Sequence, residues 1–250
     1  MPPASPSHLR LPRRALLAAA AGLALPAPAR AEEPVDTLLV LAVDISRSVD
    51  EDEARLQRLG YRNGISDPRV VQGMLAGALG SIGLAYVEWA GSEYQRLVLP
   101  WRRIASQQDA TAWAEALAEA PRQSLSWTSI SGALAFSGQV LAQAPFEGTR
   151  RVIDVSGDGV NNSGPPPEAV RDRLVADGVV INGLPIVNDR PTFGRGPPIP
   201  LDNYYRDSVI GGLGAFMIVA EDFESFGTAV RRKLIREIAG LPGAAVERFA

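Results

Sequence analysis

Between Thr37 and Val43 the chain reads TLLVLAV, an apolar run rich in Leu and Val. Such a run is the pattern of a strand buried on both faces of a parallel sheet, and it is expected to be the central strand. An acidic cluster from Asp50 to Glu53 then opens a segment carrying Leu56, Leu59 and Tyr61, and Pro68 precedes a second apolar-periodic stretch through Leu79. Together they predict one or two helices. Leu84 to Ala90 and Gln95 to Pro100 read as short strands, and the link Gly91-Ser92-Glu93-Tyr94 is short enough for a hairpin, so the two should be antiparallel neighbours. Helical patterns follow at Ser106 to Ala120 and Ile130 to Ala142, a strand at Arg151 to Val155, and a helix at Pro165 to Ala176 with Pro in its first turn. Val179 to Val187 is a strand whose second half is disturbed by Gly183 and Pro185. Asn188 to Pro200 is a Pro- and Gly-rich loop, Tyr204 to Ile210 a short helix, and Ala215 to Ala220 a buried strand. Phe223 to Ala239 is an amphipathic closing helix, after which residues 241–250 should trail off as a C-terminal tail.

Apolar strands alternating with helices predict one doubly wound α/β domain over about residues 35–240. Its sheet should be mostly parallel, with one antiparallel edge strand and helices on both faces. In such a sheet the loops after Val43, Val155 and Val187 leave from the same edge, where ligands are usually bound. Residues 1–31 have a different character. Arg10, Arg13 and Arg14 precede an apolar run from Ala15 to Leu25, and Ala29-Arg30-Ala31 has the small-x-small form of a cleavage site. The segment reads as a signal peptide, with the mature chain starting near Glu32. Its apolar run is too short to cross a bilayer of roughly 30 Å as a helix, so stable membrane insertion is not expected. The expected location is periplasmic or secreted, and Arg13-Arg14 also permits the twin-arginine route.

Composition narrows the chemistry. The 250 residues include no Cys, a single His (His8) and a single Lys (Lys233). Once the leader is removed no His remains and the net charge is about -7. A Ser-His-Asp triad, a Cys-His pair and a His- or Cys-ligated zinc are excluded by inventory. An acidic chain with 6% aromatic residues also makes a poor partner for nucleic acid or anionic lipid. Carboxylates, hydroxyls, amides or a hard cation must do the remaining work.

Directly after the first strand stands Asp44-Ile45-Ser46-Arg47-Ser48. Alternate spacing turns one carboxylate and two hydroxyls towards one point, an oxygen set suited to Mg²⁺, Mn²⁺ or Ca²⁺. Asp and Ser before a helix are also common caps, and for these five residues alone the cap is the better reading. Two more segments change the balance: Trp127-Thr128-Ser129-Ile130 at the start of a helix, and Gly157-Asp158-Gly159 after a strand. With them the chain resembles the von Willebrand factor type A domain, whose metal-ion-dependent adhesion site uses Asp-x-Ser-x-Ser, a later Thr and a later Asp-Gly. The matching residues are Asp44, Ser46, Ser48, Thr128 and Asp158, in the family's order, and the resemblance covers residues 35–240. It implies that Ser46, Ser48 and Thr128 offer hydroxyl oxygens to a divalent cation, Mg²⁺ first among the three. Asp44 and Asp158 would bind it directly or through water. It further implies an open coordination position filled by an acidic side chain of a protein partner, hence a non-catalytic, adhesion-type binding module. Val87 to Ala90, Arg151 to Asn162, Ile181 to Leu184 and Tyr204 to Arg206 are similar to a narrower group of secreted bacterial relatives with no established activity. One departure is Trp127, where a Gly commonly precedes the Thr, and it should narrow access to the metal.

Other residues carry less. Asp154 and Glu88 lie inside strands, where a charge needs a partner, and pairing with Arg is expected. The alternatives are a supporting role behind the metal's own ligands or, in a metal-dependent hydrolase, that of the base. Asn161-Asn162 reads as turn chemistry. Tyr204-Tyr205 fits exposed recognition and packing equally well. Gly211 to Gly214 precedes a strand and is no phosphate loop. The segment Asn188 to Tyr205, with Arg190 and Arg195, is expected to set partner specificity.

Overall fold

The computed structural model describes residues 33–187, 199–239 and 246–249. The expected leader and most of the loop 188–200 lie outside the described residues. Strands β1 (Glu33–Asp44), β2 (Ile82–Trp89), β3 (Gln95–Ile104), β4 (Phe146–Gly157), β5 (Val179–Pro185), β6 (Met217–Ala220) and β7 (Val246–Phe249) form one sheet in the order β3-β2-β1-β4-β5-β6-β7. Only β3 runs antiparallel to its neighbour. The doubly wound, mostly parallel α/β architecture and its antiparallel edge strand are therefore as expected, with β1 paired on both sides and β4 at the middle of the order.

Pleating explains why β1 reads as an unbroken apolar run. Leu39, Leu41 and Val43 enter the core on one face while Leu38, Val40 and Ala42 enter the core on the other. The first face is covered by α1 (Glu51–Ser66), α2 (Pro68–Met74), α3 (Gln107–Glu119) and α7 (Phe226–Ala239). The second is covered by α4 (Ile130–Ala142), α5 (Glu168–Ala176), α6 (Leu201–Tyr204) and a π-helical turn at Tyr205–Val209. Helix α1 approaches α7 closely because it carries Gly60 at the contact, where a Cβ would lie 2.8 Å from the Phe226 ring. Bulk at that position would push the helices apart.

Two expectations need correction. Residues 246–249 are not part of a trailing tail: they add β7 alongside β6, and four residues are too few to show a period in sequence. Strand β4 is also longer than Arg151 to Val155, because its first half alternates exposed and half-buried positions and only its second half is continuously buried. Among the described residues, no helix is long and apolar enough to cross a membrane.

Candidate metal site

Strand β1 ends at Asp44 and its continuation is held on two sides. The Ile45 N–H donates to the Trp89 carbonyl (2.9 Å), and the Leu125 N–H donates to the Ile45 carbonyl (3.3 Å). From α1, Gln57 Nε2 donates to the Asp44 carbonyl at 3.2 Å. The loop then folds back so that the Ser46 N–H donates to Asp44 Oδ1 at 2.7 Å. Ser46 Oγ and Ser48 Oγ lie 2.9 Å apart, and Ser48 Oγ donates to Asp158 Oδ1 at 2.7 Å. The helix-cap reading of Asp44 and Ser46 fails: the N-cap of α1 is Asp50, which forms a reciprocal capping box with Glu53.

Thr128 reaches the same edge from the start of α4. Its N–H donates to Asn162 Oδ1 (2.8 Å), and its carbonyl accepts the N–H groups of Asn162 (2.9 Å) and Ser163 (3.1 Å). A Cβ on Gly159 would lie 3.6 Å from Thr128 Oγ1, which places that hydroxyl against the loop carrying Asp158. Asn161 Oδ1 meanwhile accepts the Ser131 N–H at 3.2 Å. The turn reading of Asn161-Asn162 thus acquires a task, since the pair ties the Asp158 loop to the Thr128 loop. Trp127 has φ +75°, the left-handed region, and is 55% exposed. Gly is at ease there and Trp is not, which gives the departure from the family's usual Gly a physical meaning. A cavity of about 470 Å³ adjoins it, walled by Trp127, Ser92, Glu93, Tyr94, Asn162 and Ser163.

Asp44 is wholly buried. Burial first, and the Asp158 carboxylate second, push its carboxyl well above the usual carboxylate range, against the opposing pull of the Ser46 hydrogen bonds. Its Oδ2 has no hydrogen-bond partner among the described residues. Strand β4 can come this close because residue 157 is Gly: a Cβ there would stand 3.0 Å from Asp44 Oδ2 and 3.1 Å from its Cβ. Among the described residues, His, Asp and Glu form no cluster of three or more that could hold a metal ion; the oxygens brought to this edge are the carboxylates of Asp44 and Asp158 and the hydroxyls of Ser46, Ser48 and Thr128. All five residues singled out in sequence stand at this one edge.

The strand carboxylates are committed elsewhere. Glu88 Oε1 accepts from Arg58 Nη2 at 2.7 Å, the Arg partner expected. Asp154 instead pairs with the single lysine, at 2.8 Å from Lys233 Nζ to Oδ1. Lys233 also meets Glu237 Oε2 at 3.2 Å, and Asn182 Nδ2 donates to Glu237 Oε1 at 2.6 Å. The whole group is buried. Burial raises the Asp154 carboxyl to about 7, with Lys233 pulling down and Glu237 pushing up.

Residues 34–242 match a family described as a protein of unknown function, DUF1194. The chain belongs to that family. No curated protein matches this DUF1194 chain in sequence. Solved structures do match in fold. The proximal thread matrix protein 1 of the mussel byssus, with a zinc occupied MIDAS motif, gives a TM-score of 0.61 at 14% identity, over 83% of this chain and 49% of that one. A von Willebrand factor type A protein from Catenulispora acidiphila gives 0.58 at 15% identity, over 82% and 43%. The pilus adhesin SpaC from Lactobacillus rhamnosus GG gives 0.58 at 13% identity, over 84% and 31%. The fold is that of the von Willebrand factor type A domain, and the chain spans about half or less of the length of these proteins.

Proposed function

We propose that this chain is an exported, divalent-cation-dependent protein-binding module without catalytic activity. The observation that carries the reading is Asp44, a wholly buried carboxylate beside a second carboxylate, with one oxygen unpartnered among the described residues and three hydroxyls gathered at the same edge. Two carboxylates raise each other's energy in a dry site, and a divalent cation reverses that cost. Ser46, Ser48 and Thr128 would hold the ion through hydroxyl oxygens, and Asp44 and Asp158 directly or through water, with Mg²⁺ first and Mn²⁺ or Ca²⁺ as alternatives. When bound, the ion supplies a Lewis-acidic position that an acidic side chain of a partner protein can coordinate. The chain's own residues do the rest: Asn162 positions Thr128, Gln57 and Ser46 position Asp44, and exposed Trp127 offers the partner an aromatic surface.

A hydrolase needs a carboxylate base free to take a proton from water. Asp154 and Glu88, the candidates for that role, are buried and engaged by Lys233 and Arg58, which favours the binding reading. Two structural neighbours named as a matrix protein and an adhesin agree with it. The charge and apolar pattern of residues 1–31 supports export. The test is partner capture by the mature protein in Mg²⁺, with and without chelator. Binding should vanish in chelator, return with Mg²⁺ and weaken in folded Thr128→Ala, while added salt has a smaller effect. A partner that binds equally well in excess chelator contradicts the reading.

A further inference from the structure

A second buried oxygen faces the same point as Asp44 Oδ2. The phenol of Tyr205 is wholly buried, and its hydroxyl has no hydrogen-bond partner among the described residues. A Cβ built on Gly157 would lie 3.0 Å from Tyr205 Oη and 3.0 Å from Asp44 Oδ2, so the two oxygens flank one position on β4. The ring lies in a slot made for it. A Cβ on Gly183 of β5 would come within 2.9 Å of Tyr205 Cδ1, and Gly183 pairs with Val155, two residues before Gly157. Glycines on two adjacent strands therefore leave room for one tyrosine whose hydroxyl ends beside the metal-site loop.

The backbone of this segment is also unusual. Tyr205 opens a π-helical turn, Tyr205–Val209, and such turns shift side chains relative to a regular helix and are frequent at functional sites. The preceding Tyr204 turns elsewhere: its ring meets Tyr205 edge-on at 6.5 Å, and its hydroxyl accepts the Asn161 N–H at 3.3 Å. One short segment thus touches the Asp158 loop with Tyr204 and comes up to Asp44 with Tyr205. A buried phenol and a buried carboxylate oxygen, each without a partner among the described residues, are costly to keep side by side unless they serve each other or a common ligand.

We propose that Tyr205 is a positioning residue of the metal centre, its O–H held beside the unpartnered oxygen of Asp44 so that it engages that oxygen, or a ligand shared with it, when the cation is bound. The inference rests on the metal-site reading above. Outer groups of this kind orient the ligands themselves, and their loss costs about 10- to 100-fold in metal affinity.

The experiment is calorimetric titration of the mature protein with Mg²⁺ and Mn²⁺, paired with the thermal midpoint of the metal-free form. Tyr205→Phe keeps the ring in its slot and removes only the hydroxyl. Its metal affinity should fall tenfold or more, its metal-induced thermal shift should shrink, and its metal-free midpoint should match or exceed that of the wild type. Tyr61→Phe is the control for losing a buried phenol: Tyr61 Oη donates to Ser156 Oγ at 3.0 Å on the other face of the sheet. That variant should lose metal-free stability and keep metal affinity within twofold. Metal affinity within twofold of wild type in Tyr205→Phe overturns the proposal. An affinity loss in Tyr61→Phe equal to that in Tyr205→Phe overturns it too. Absence of metal uptake by the wild type strikes the metal-site reading itself.

Discussion

Two groups of buried carboxylates stand four residues apart on β4 and the loop that follows it, and they are built in opposite ways. On the α1/α7 face, Asp154 and Glu237 share Lys233, and Asn182 occupies the other oxygen of Glu237. At the carboxyl edge, Asp44 accepts the Ser46 N–H and Asp158 accepts the Ser48 hydroxyl, and no ion pair to Asp44 occurs among the described residues. The first cluster carries its own cation and the second is arranged as though one arrives from outside. A buried charge that the chain neutralises itself points to architecture, whereas one left with an unpartnered oxygen at a sheet edge points to a ligand.

Breaking the internal cation gives the largest expected effect. Lys233→Met leaves Asp154 and Glu237 buried without a counter-charge and should cost about 3–5 kcal/mol in urea unfolding. Asp44→Asn, which removes a charge with no ion partner among the described residues, should leave the metal-free protein as stable as wild type or more so. Equal losses in the two variants would erase the distinction between the clusters.

The pH dependence of stability sharpens the same contrast. The Asp154 carboxyl sits at about 7 in the folded chain against 3.8 for the ordinary group. The folded state therefore keeps a proton that the unfolded chain gives up between these values, and stability falls as pH rises from about 4 to about 7. Urea midpoints across that range should show the slope in metal-free protein. Asp44→Asn is the right background, because the raised Asp44 carboxyl otherwise adds a slope of the same sign. Asp154→Asn in that background should flatten the curve, and an unchanged slope would assign it elsewhere.

How far these features can be read in sequence differs between the two clusters. Asp44, Ser46 and Ser48 fall within five residues behind a continuous apolar strand, and Thr128 and Asp158 each head a recognisable element, so the edge cluster was legible before any geometry. The Lys233 cluster was not: its members come from β4, β5 and α7, and only packing brings them together. Asp154 announced itself as a charge inside a strand, and the error lay in expecting Arg as its partner. Tyr205 was undecidable, because a π-helical turn and a slot made by Gly157 and Gly183 leave no periodic trace. Strand β7 was missed for want of length.

The smallest expected effect concerns Trp127, which is left-handed and exposed beside Thr128. Trp127→Gly relieves that backbone and should raise stability by about 1 kcal/mol, read as a higher thermal midpoint, with metal affinity unchanged. A loss of stability would mean that the tryptophan is held for packing and not for a partner.

Titration of the metal-free mature protein with Mg²⁺ tests most directly whether the edge cluster is a cation site. The wild type should take up about one ion, stay folded before and after, and gain thermal stability with added metal. Asp44→Ala should take up none at that site while remaining folded. Equal uptake by Asp44→Ala, or no uptake by the wild type, would contradict the claim.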